Sequence, residues 1–181
     1  MPLNTWPNGL AGSGTDVAAN GTPLLLPGNV IFVNYATGDD ANDGFAQEGP
    51  KKTIAGAHAA ASNGDIIALA ATHSETVTTN LLVTKRVMIV GLGNDADGKP
   101  TATLTMNSSN KEILALRASG TQLRNIYFPT NAQANSSAKI YIGDAGALTG
   151  VYLVNCWFDC AGNDDNGAVV VAASATPHIG F

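Results

Sequence analysis

A break in strand alternation recurs along this chain. In the stretch Thr121–Phe128, Leu123 and Ile126 are three positions apart, so they cannot face the same side of one continuous strand. A turn at Asn125 removes the conflict, because Leu123 then points inward before the turn and Ile126 points inward after it. The same pattern fits three other stretches, namely Val87–Leu92, Val151–Phe158 and Ile179–Phe181. It predicts that Leu92, Cys156 and Phe158 point inward after their turns.

The residues at these predicted corners are all of one kind. They are glycines and asparagines, which adopt a left-handed backbone at low cost, and they recur at intervals of 34, 30 and 25 residues: Gly91, Asn125, Asn155 and Gly180. Each corner follows a short apolar run of β type, and these runs are Leu81–Val83, Ile113–Leu116, Ile140–Ile142 and Val169–Val171. A period of this length predicts stacked coils.

Two short strands per coil, joined by an Asn or Gly bend, resemble the right-handed parallel β-helix of the pectate-lyase-like (pectin lyase-like) superfamily, in which an asparagine ladder occupies that bend. The resemblance covers about the last hundred residues and implies an all-β fold, a short right-handed parallel β-helix of about three to four coils. A two-sheet sandwich, whose strands are also short and evenly spaced, is the alternative.

The chain before these coils divides into an arm and a cap. Residues 1–29 are rich in Gly, Pro, Asn and Thr and predict an extended N-terminal arm, in which the larger apolar groups are Trp6, Leu24, Leu25 and Leu26. Residues 30–181 are predicted to form the parallel β-helix domain, with an N-terminal cap over residues 30–70. A threonine-rich link then leads to the first coil at Leu81.

The cap has its own motif. Val30–Asn34 predicts a strand, and Thr53 can cap a helix whose apolar stripe is Ile54, Ala57 and Ala61, ended by Asn63-Gly64. Together with the acidic and glycine positions before it, this pattern resembles the N-terminal capping helix of many β-helix proteins. The positions are Asp40, Asp43-Gly44, Gly49-Pro50 and Lys52-Thr53-Ile54.

Composition limits the classes of function that this chain can have. Only 13% of the residues are charged, the formal net charge is −5 and no basic cluster occurs, which disfavours nucleic-acid or membrane binding. The N-terminus has no pattern of a secretory signal, which favours synthesis in the cytosol.

Cys156 and Cys160 are too far apart on an extended segment for a disulfide, so free thiols are expected. We expect no cofactor.

Enzymes of this architecture carry clustered carboxylates. Resemblance to pectate lyases implies an acidic face that binds calcium, and resemblance to galacturonases implies three converging aspartates. The predicted outward rows are Val90, Arg124 and Val154; Met88, Gln122 and Tyr152; and Gly93, Tyr127 and Trp157. None is acidic, so we predict no catalytic residue and no enzyme. The loop Asp39–Gly44 departs from calcium-loop spacing and predicts Asx turns rather than a metal site. Exposed or core-edge positions are expected for His58, His73 and His178.

Outward apolar and aromatic groups are the more informative feature. An oligomer interface is predicted at Met88, Val90, Tyr127, Tyr152, Val154, Trp157 and Phe181, the last because no C-terminal cap is visible after the final coil. A sugar-stacking platform at Tyr127 and Trp157 is the alternative reading of the aromatic pair. Burial of this outward surface beneath the loop at residues 130–138 is a third interpretation.

A small β-helix with these properties resembles virion structural proteins of tailed bacteriophages, which use β-helices as trimeric spikes, fibre bases and capsid decorations. The resemblance implies a non-enzymatic homotrimer, a capsid decoration or head spike protein assembled in the host cytoplasm and located in the virion. Its arm would bind the major capsid protein or another virion protein. A polysaccharide-binding or polysaccharide-cleaving β-helix, such as a tailspike or fibre fragment with a surface polysaccharide as partner, is the alternative. A secreted surface solenoid is a third reading.

Overall fold

The computed structural model describes residues 28–107, 112–130, 138–143, 148–159 and 168–171, together with the backbone of Asp16–Val17 and Pro23–Leu24. These residues contain one short helix, α1 (Ile54–Ala60), and fifteen strands. The strands are β1 (Asp16–Val17), β2 (Pro23–Leu24), β3 (Val30–Val33), β4 (Ile66–Leu69), β5 (Ser74–Val77), β6 (Leu81–Val83), β7 (Met88–Gly91), β8 (Thr103–Met106), β9 (Leu114–Leu116), β10 (Gln122–Arg124), β11 (Tyr127–Phe128), β12 (Ile140–Ile142), β13 (Tyr152–Val154), β14 (Trp157–Phe158) and β15 (Val169–Val171).

Three parallel sheets make up the body. Sheet 1 has the order β3-β4-β7-β10-β13, sheet 2 the order β5-β8-β11-β14, and sheet 3 the order β6-β9-β12-β15. From β4 onward each strand therefore pairs with the strand three places later in the chain, so the backbone passes through all three sheets before it returns to the first. The protein is all-β with stacked parallel sheets, which is consistent with a parallel β-helix. The two-sheet sandwich is excluded for these strands, because every pairing within the three sheets is parallel.

The interior is filled by alternate residues of each strand. Leu123, Ile126 and Phe128 are fully buried and Leu153 nearly so, as the corner scheme predicts. Cys156 and Phe158 are only partly buried, although both were expected inside. Their strand region, β14, is the last described strand of sheet 2, so its outer edge has no described partner strand.

The helix predicted for the cap is present. The hydroxyl oxygen of Thr53 accepts the N–H of Gly56, and Ile54 and Ala57 belong to the same buried cluster as the inward residues of the coils. The helix ends at Ala60, and Gly64 shortly after it has a left-handed φ of 99°. Small residues allow the helix to lie close over the first coil.

The coils begin earlier than the sequence indicated. The segment interpreted as a threonine-rich link contains β5, which pairs along its whole length with β8. The prediction failed because the inward positions of this strand include two polar residues, His73 just before it and Glu75 within it, so the strand carries no alternating apolar pattern.

The arm is described only at its two short strands. β1 and β2 pair antiparallel, with Asp16 opposite Leu24 and Val17 opposite Pro23. Several positions named above lie outside the described residues, or have side chains that do: Trp6, Leu24, Leu25, Leu26, Cys160, His178, Ile179, Gly180 and Phe181.

Candidate functional site: the asparagine corner and its flanking faces

Asn125 and Asn155 form a side-chain ladder at the corner between sheets 1 and 2. Both have left-handed backbones, with φ values of 54° and 49°. The Nδ2 of Asn125 donates to the carbonyl oxygens of Gly91 at 2.9 Å and Gly93 at 3.2 Å, and the Nδ2 of Asn155 donates to the Oδ1 of Asn125 at 2.6 Å. The ladder therefore ties three successive coils together where the backbone leaves its strand.

Gly91 occupies the same column for a different reason. Its backbone is not left-handed, contrary to our expectation, and it is the last residue of β7. A β-carbon at this position would overlap the carbonyl oxygen of Asn125. Glycine is therefore required here by the close approach of the next coil, not by the conformation of its own backbone.

The two outward rows of sheet 1 have the predicted register. Arg124 lies between Val90 and Val154, and Gln122 lies between Met88 and Tyr152. Val90, Tyr152 and Val154 are half-buried, whereas Met88 is only 3% exposed and so is not the exposed group that we expected.

A charged side chain interrupts the first of these rows. The Nε of Arg124 donates to the Oε1 of Gln122 at 3.1 Å, and burial lowers the pKa of the Arg124 guanidinium from its usual value. The two valines on either side of Arg124 therefore do not form one continuous apolar strip.

Sheet 2 presents the aromatic pair. Tyr127 lies opposite Trp157, as predicted, but its partner on the other side is Thr103 rather than Gly93. The reason is an excursion of the chain after Gly91, which returns to the stack only at Ala102. Leu92, expected inside, is consequently exposed.

Tyr127 and Trp157 differ in accessibility. The ammonium group of Lys99 lies 3.5 Å from the centre of the Tyr127 ring, and the hydroxyl of Tyr127 donates to the Asp159 carboxylate. Trp157 is 42% exposed, and its Nε1 donates to the Oδ1 of Asn155 at 3.3 Å. The exposed aromatic surface at this corner is thus the Trp157 ring, held in place by the end of the ladder.

The side chains around this pair are hydroxylated. Ser74 and Thr103 continue the column of Tyr127, and in the adjacent column the hydroxyls of Thr76 and Thr105 lie 3.0 Å apart. The described outer face of sheet 2 therefore combines hydroxyl groups with one exposed indole.

A buried polar cluster beneath the cap was not foreseen. His73 is fully buried, so the expectation of an exposed or core-edge position is wrong. Its Nδ1 accepts the N–H of Tyr35 at 3.2 Å, which places the ring proton on Nε2, 3.2 Å from the Oε2 of Glu75. The same Oε2 accepts the N–H of Ile54, the first residue of α1, at 3.0 Å. No local sequence signal pointed to this cluster, because both inward residues are polar and the alignment of Glu75 with the inward Leu104 is set by the pairing of β5 with β8.

His58 is at the core edge, as predicted. It is buried, and its Nε2 accepts the N–H of Thr84 at 3.2 Å. Burial lowers the pKa of His58, and the nearby charge of Lys85 adds to that effect. The neutral imidazole thereby joins the cap helix to the end of β6.

The acidic loop forms the predicted Asx turns. Asp39 accepts the N–H of Ala41 at 2.9 Å, and Asp43 accepts the N–H of Phe45 at 3.0 Å. One oxygen of Asp40 accepts the N–H groups of Lys52 and Thr53, which fastens the loop to the start of α1. No group of three His, Cys, Asp or Glu side chains positioned to hold a metal ion occurs among the described residues.

A groove opens at the outer face of sheet 1 beside the corner. Its volume is about 270 Å³, and its apolar lining includes Phe32, Pro50, Ala68 and Leu92. Phe32 and Ala68 are outward residues of adjacent strands, so the groove runs across β3 and β4.

Comparisons with known proteins give no relative. No protein-family model matches the chain, and no curated protein or solved structure is significantly similar to it. In the part of the chain that the structure describes, no helix has both the length and the apolar composition needed to cross a lipid bilayer.

Proposed function

We propose that the chain is a right-handed parallel β-helix of the pectate-lyase-like type that serves as a non-enzymatic structural protein of a tailed-bacteriophage virion. In this proposal it forms a homotrimer that decorates the capsid or builds a head spike, and its N-terminal arm binds the major capsid protein or another virion protein. The right-handed form follows the strong general preference of parallel strand connections for that hand.

The observation that carries the proposal is the exposed Trp157 beside the half-buried Tyr152 and Val154. These three side chains flank Asn155 on one coil and point outward from two adjoining sheets. Exposed aromatic residues surrounded by apolar side chains are typical centres of protein interfaces. A three-fold axis parallel to the stack would bury the same patch on every subunit and close the assembly.

The outward positions of the neighbouring strands agree with a structural role. Those of β7, β10 and β13 are Met88, Val90, Gln122, Arg124, Tyr152 and Val154, without the pair of carboxylates that glycoside hydrolysis requires. The proposal therefore assigns these rows to subunit contact rather than to catalysis.

Native mass spectrometry tests the assembly. We expect a trimer for the wild-type chain at micromolar concentration and a monomer for Trp157→Glu, because the new charge would lie within the contact. Leu82→Glu is the matched control, since Leu82 is 41% exposed on sheet 3 and its variant should remain trimeric. A monomeric wild-type protein, or a trimeric Trp157→Glu variant, would contradict the proposal.

Removal of the arm tests attachment separately. Deletion of residues 1–20 should leave the trimer intact but abolish co-sedimentation with particles that lack this protein. Full binding of the truncated protein to such particles would remove the arm from the proposal.

A second candidate function, glycan binding, is favoured by the fixed orientation of Trp157. Its indole is held by Asn155 and lies in a column with Tyr127, Thr103 and Ser74. Stacking on an aromatic face and hydrogen bonds to nearby hydroxyls suit the two faces of a sugar ring.

Fluorescence tests this candidate directly. The chain has two tryptophans, so in a Trp6→Phe background the emission reports on Trp157 alone. Titration with host surface polysaccharide should change that emission, and Trp157→Ala should abolish binding measured by calorimetry, whereas Leu82→Ala should not. Equal binding by Trp157→Ala would eliminate glycan stacking at this face.

A further inference from the structure

His73 is a buried histidine whose two ring nitrogens have different partners. Its Nδ1 accepts the N–H of Tyr35 at 3.2 Å, and its Nε2 lies 3.2 Å from the Oε2 of Glu75, which is also buried. Because the neutral ring carries its proton on Nε2, a second proton would have to bind at Nδ1. Protonation of His73 would therefore take place at the contact with Tyr35.

That protonation would change the two contacts in opposite ways. A protonated Nδ1 cannot accept a hydrogen bond, so its N–H would oppose the N–H of Tyr35. The Nε2–H is present in both forms of the ring and would still donate to Glu75, then as an ion pair of imidazolium and carboxylate. Glu75 supplies the counter-charge that a buried cation needs. Only the contact with Tyr35 is expected to be lost.

The backbone around His73 determines which side moves. The N–H of His73 donates to the carbonyl oxygen of Ala70 at 2.9 Å, and its carbonyl oxygen accepts the N–H of Thr103 at 2.9 Å. These bonds hold His73 in place within the stack. Tyr35 lies in the turn after β3 and is exposed, so its N–H can turn towards water. The turn, rather than the histidine, is free to move away.

The ring of Tyr35 separates His73 from a lysine. The Tyr35 and His73 rings meet edge to face, with their centres 6.4 Å apart, and the ammonium group of Lys52 lies 5.4 Å from the centre of the Tyr35 ring. Lys52 is a donor without acceptor capacity, so it cannot replace the acceptor that the Tyr35 N–H would lose.

The other elements packed around Glu75 do not provide a competing switch at mildly acidic pH. Strand β8 places the apolar Leu104 beside Glu75, and α1 contributes the N–H of Ile54. Near the start of α1, burial acts to raise the pKa of Asp40, but hydrogen bonds from the two residues that precede the helix lower it overall, so Asp40 stays ionised at about pH 5. The titratable His58 of α1 bonds elsewhere, to the end of β6.

We infer that His73 is an acid-sensitive switch that holds the turn at Tyr35 on the stack when neutral and releases it when protonated. The contact with Glu75 is kept in both states, so the start of α1 and the first coils keep their hydrogen bonds. Asn34, directly before Tyr35, lines the groove on sheet 1, so the released turn borders that groove. The switch does not depend on the proposed virion role and uses no residue assigned to the subunit contact.

Amide exchange followed by NMR tests the switch in the full chain. We expect the protection factor of the Tyr35 amide to fall at least about tenfold between about pH 7.5 and about pH 5, the range in which imidazole titrates. The amide of Ile54, which donates to Glu75, should stay protected at both pH values. His58→Gln is the matched control and should show the same change at Tyr35. An unchanged Tyr35 protection factor, or equal losses at Tyr35 and Ile54, would overturn the inference.

His73→Asn separates this histidine from other titrating groups. The Oδ1 of asparagine lies close to the position of Nδ1 in histidine, so the variant keeps an acceptor that does not titrate. Protection of the Tyr35 amide should then be the same at both pH values, and a pH dependence equal to that of the wild type would refute the assignment.

Nitrogen-15 chemical shifts of the His73 ring in the wild-type protein keep the test decisive if the variant does not fold. They should report a proton on Nε2 alone at about pH 7.5 and on both nitrogens at about pH 5. A neutral ring with its proton on Nδ1, or a ring that stays neutral at about pH 5, would contradict the inference.

Discussion

Replacement of Glu75 by alanine is expected to destabilise the cap more than any single surface change. The carboxylate is buried under α1 and accepts two hydrogen bonds, from the N–H of Ile54 at 3.0 Å and from the Nε2 of His73 at 3.2 Å. The substitution leaves both donors without their acceptor in a site that water does not reach. The start of the helix and the edge of β5 should therefore separate more easily.

The magnitude follows from these two bonds. A hydrogen bond to a charged group contributes about 1.5–3 kcal/mol, and the bond to His73 is long enough to belong at the low end. Their joint loss gives a decrease of about 3–4 kcal/mol in the free energy of unfolding, within the range seen when one partner of a buried pair is removed. Glu75→Gln keeps the volume and one acceptor oxygen, so its loss should be about 1–2 kcal/mol.

Urea unfolding followed by circular dichroism gives the free energies, and amide exchange at Ile54 reports whether the helix start opens first. Ser74→Ala is the matched control, because Ser74 is the exposed neighbour in the same strand and its replacement should change stability by less than about 0.5 kcal/mol. A loss below about 1 kcal/mol for Glu75→Ala, or an equal loss for Ser74→Ala, would refute the reasoning.

Four other outcomes are expected. In urea unfolding, Asn125→Ala should lose about 3–4 kcal/mol, since it removes three side-chain hydrogen bonds and forces alanine into a left-handed backbone, and Asn125→Gly should lose less. Phe128→Ala should lose about 3–5 kcal/mol, and Phe158→Ala, which removes its less buried stacking partner, clearly less; equal losses would contradict the burial difference. Burial raises the pKa of the Cys156 thiol to about 11, so with the other cysteine replaced by serine, alkylation at pH 8 should be slower than for a free thiol by on the order of a hundredfold, as followed by mass spectrometry. Burial, with a lysine charge nearby, lowers the pKa of His58, so its contribution to stability is present above about pH 6.5 and is lost as the pH falls below it. The acid slope of stability should shrink in His58→Gln, and an unchanged slope would assign it to other groups.

Local sequence was sufficient to predict the corners at Asn125 and Asn155. A parity break between Leu123 and Ile126 needs no information about distant residues, and the residue between them had to be one that tolerates a left-handed backbone. The register of Arg124 with Val90 and Val154, and of Tyr127 with Trp157, is confirmed for the same reason. Strands that obey one repeated pattern align when their patterns are superposed.

Features that depend on distant pairing were not accessible in this way. Strand β5 was not predicted because its inward residues, His73 and Glu75, are polar. Polar inward residues are compatible with a core only when they form hydrogen bonds with each other, and that contact is visible only in three dimensions. The point at which the chain returns to the stack after Leu92 was also missed, since no residue type marks the end of an excursion. Thr103 consequently occupied the position assigned to Gly93.

The excursion between Gly91 and Ala102 adds surface residues at the corner without taking part in the pairing of the stacked strands. An antiparallel bridge between Asn94 and Pro100 closes it, and the N–H of Thr101 donates to the carbonyl oxygen of Gly93 at 3.0 Å, so the loop enters and leaves the corner at nearly one point. At its tip, Gly98 has a left-handed φ of 80° and an open surface around it. A foreign peptide inserted there would be displayed from the side of the stack while the strands before and after it kept their partners. The same property lets such a scaffold acquire a new outer surface one coil at a time without altering its core.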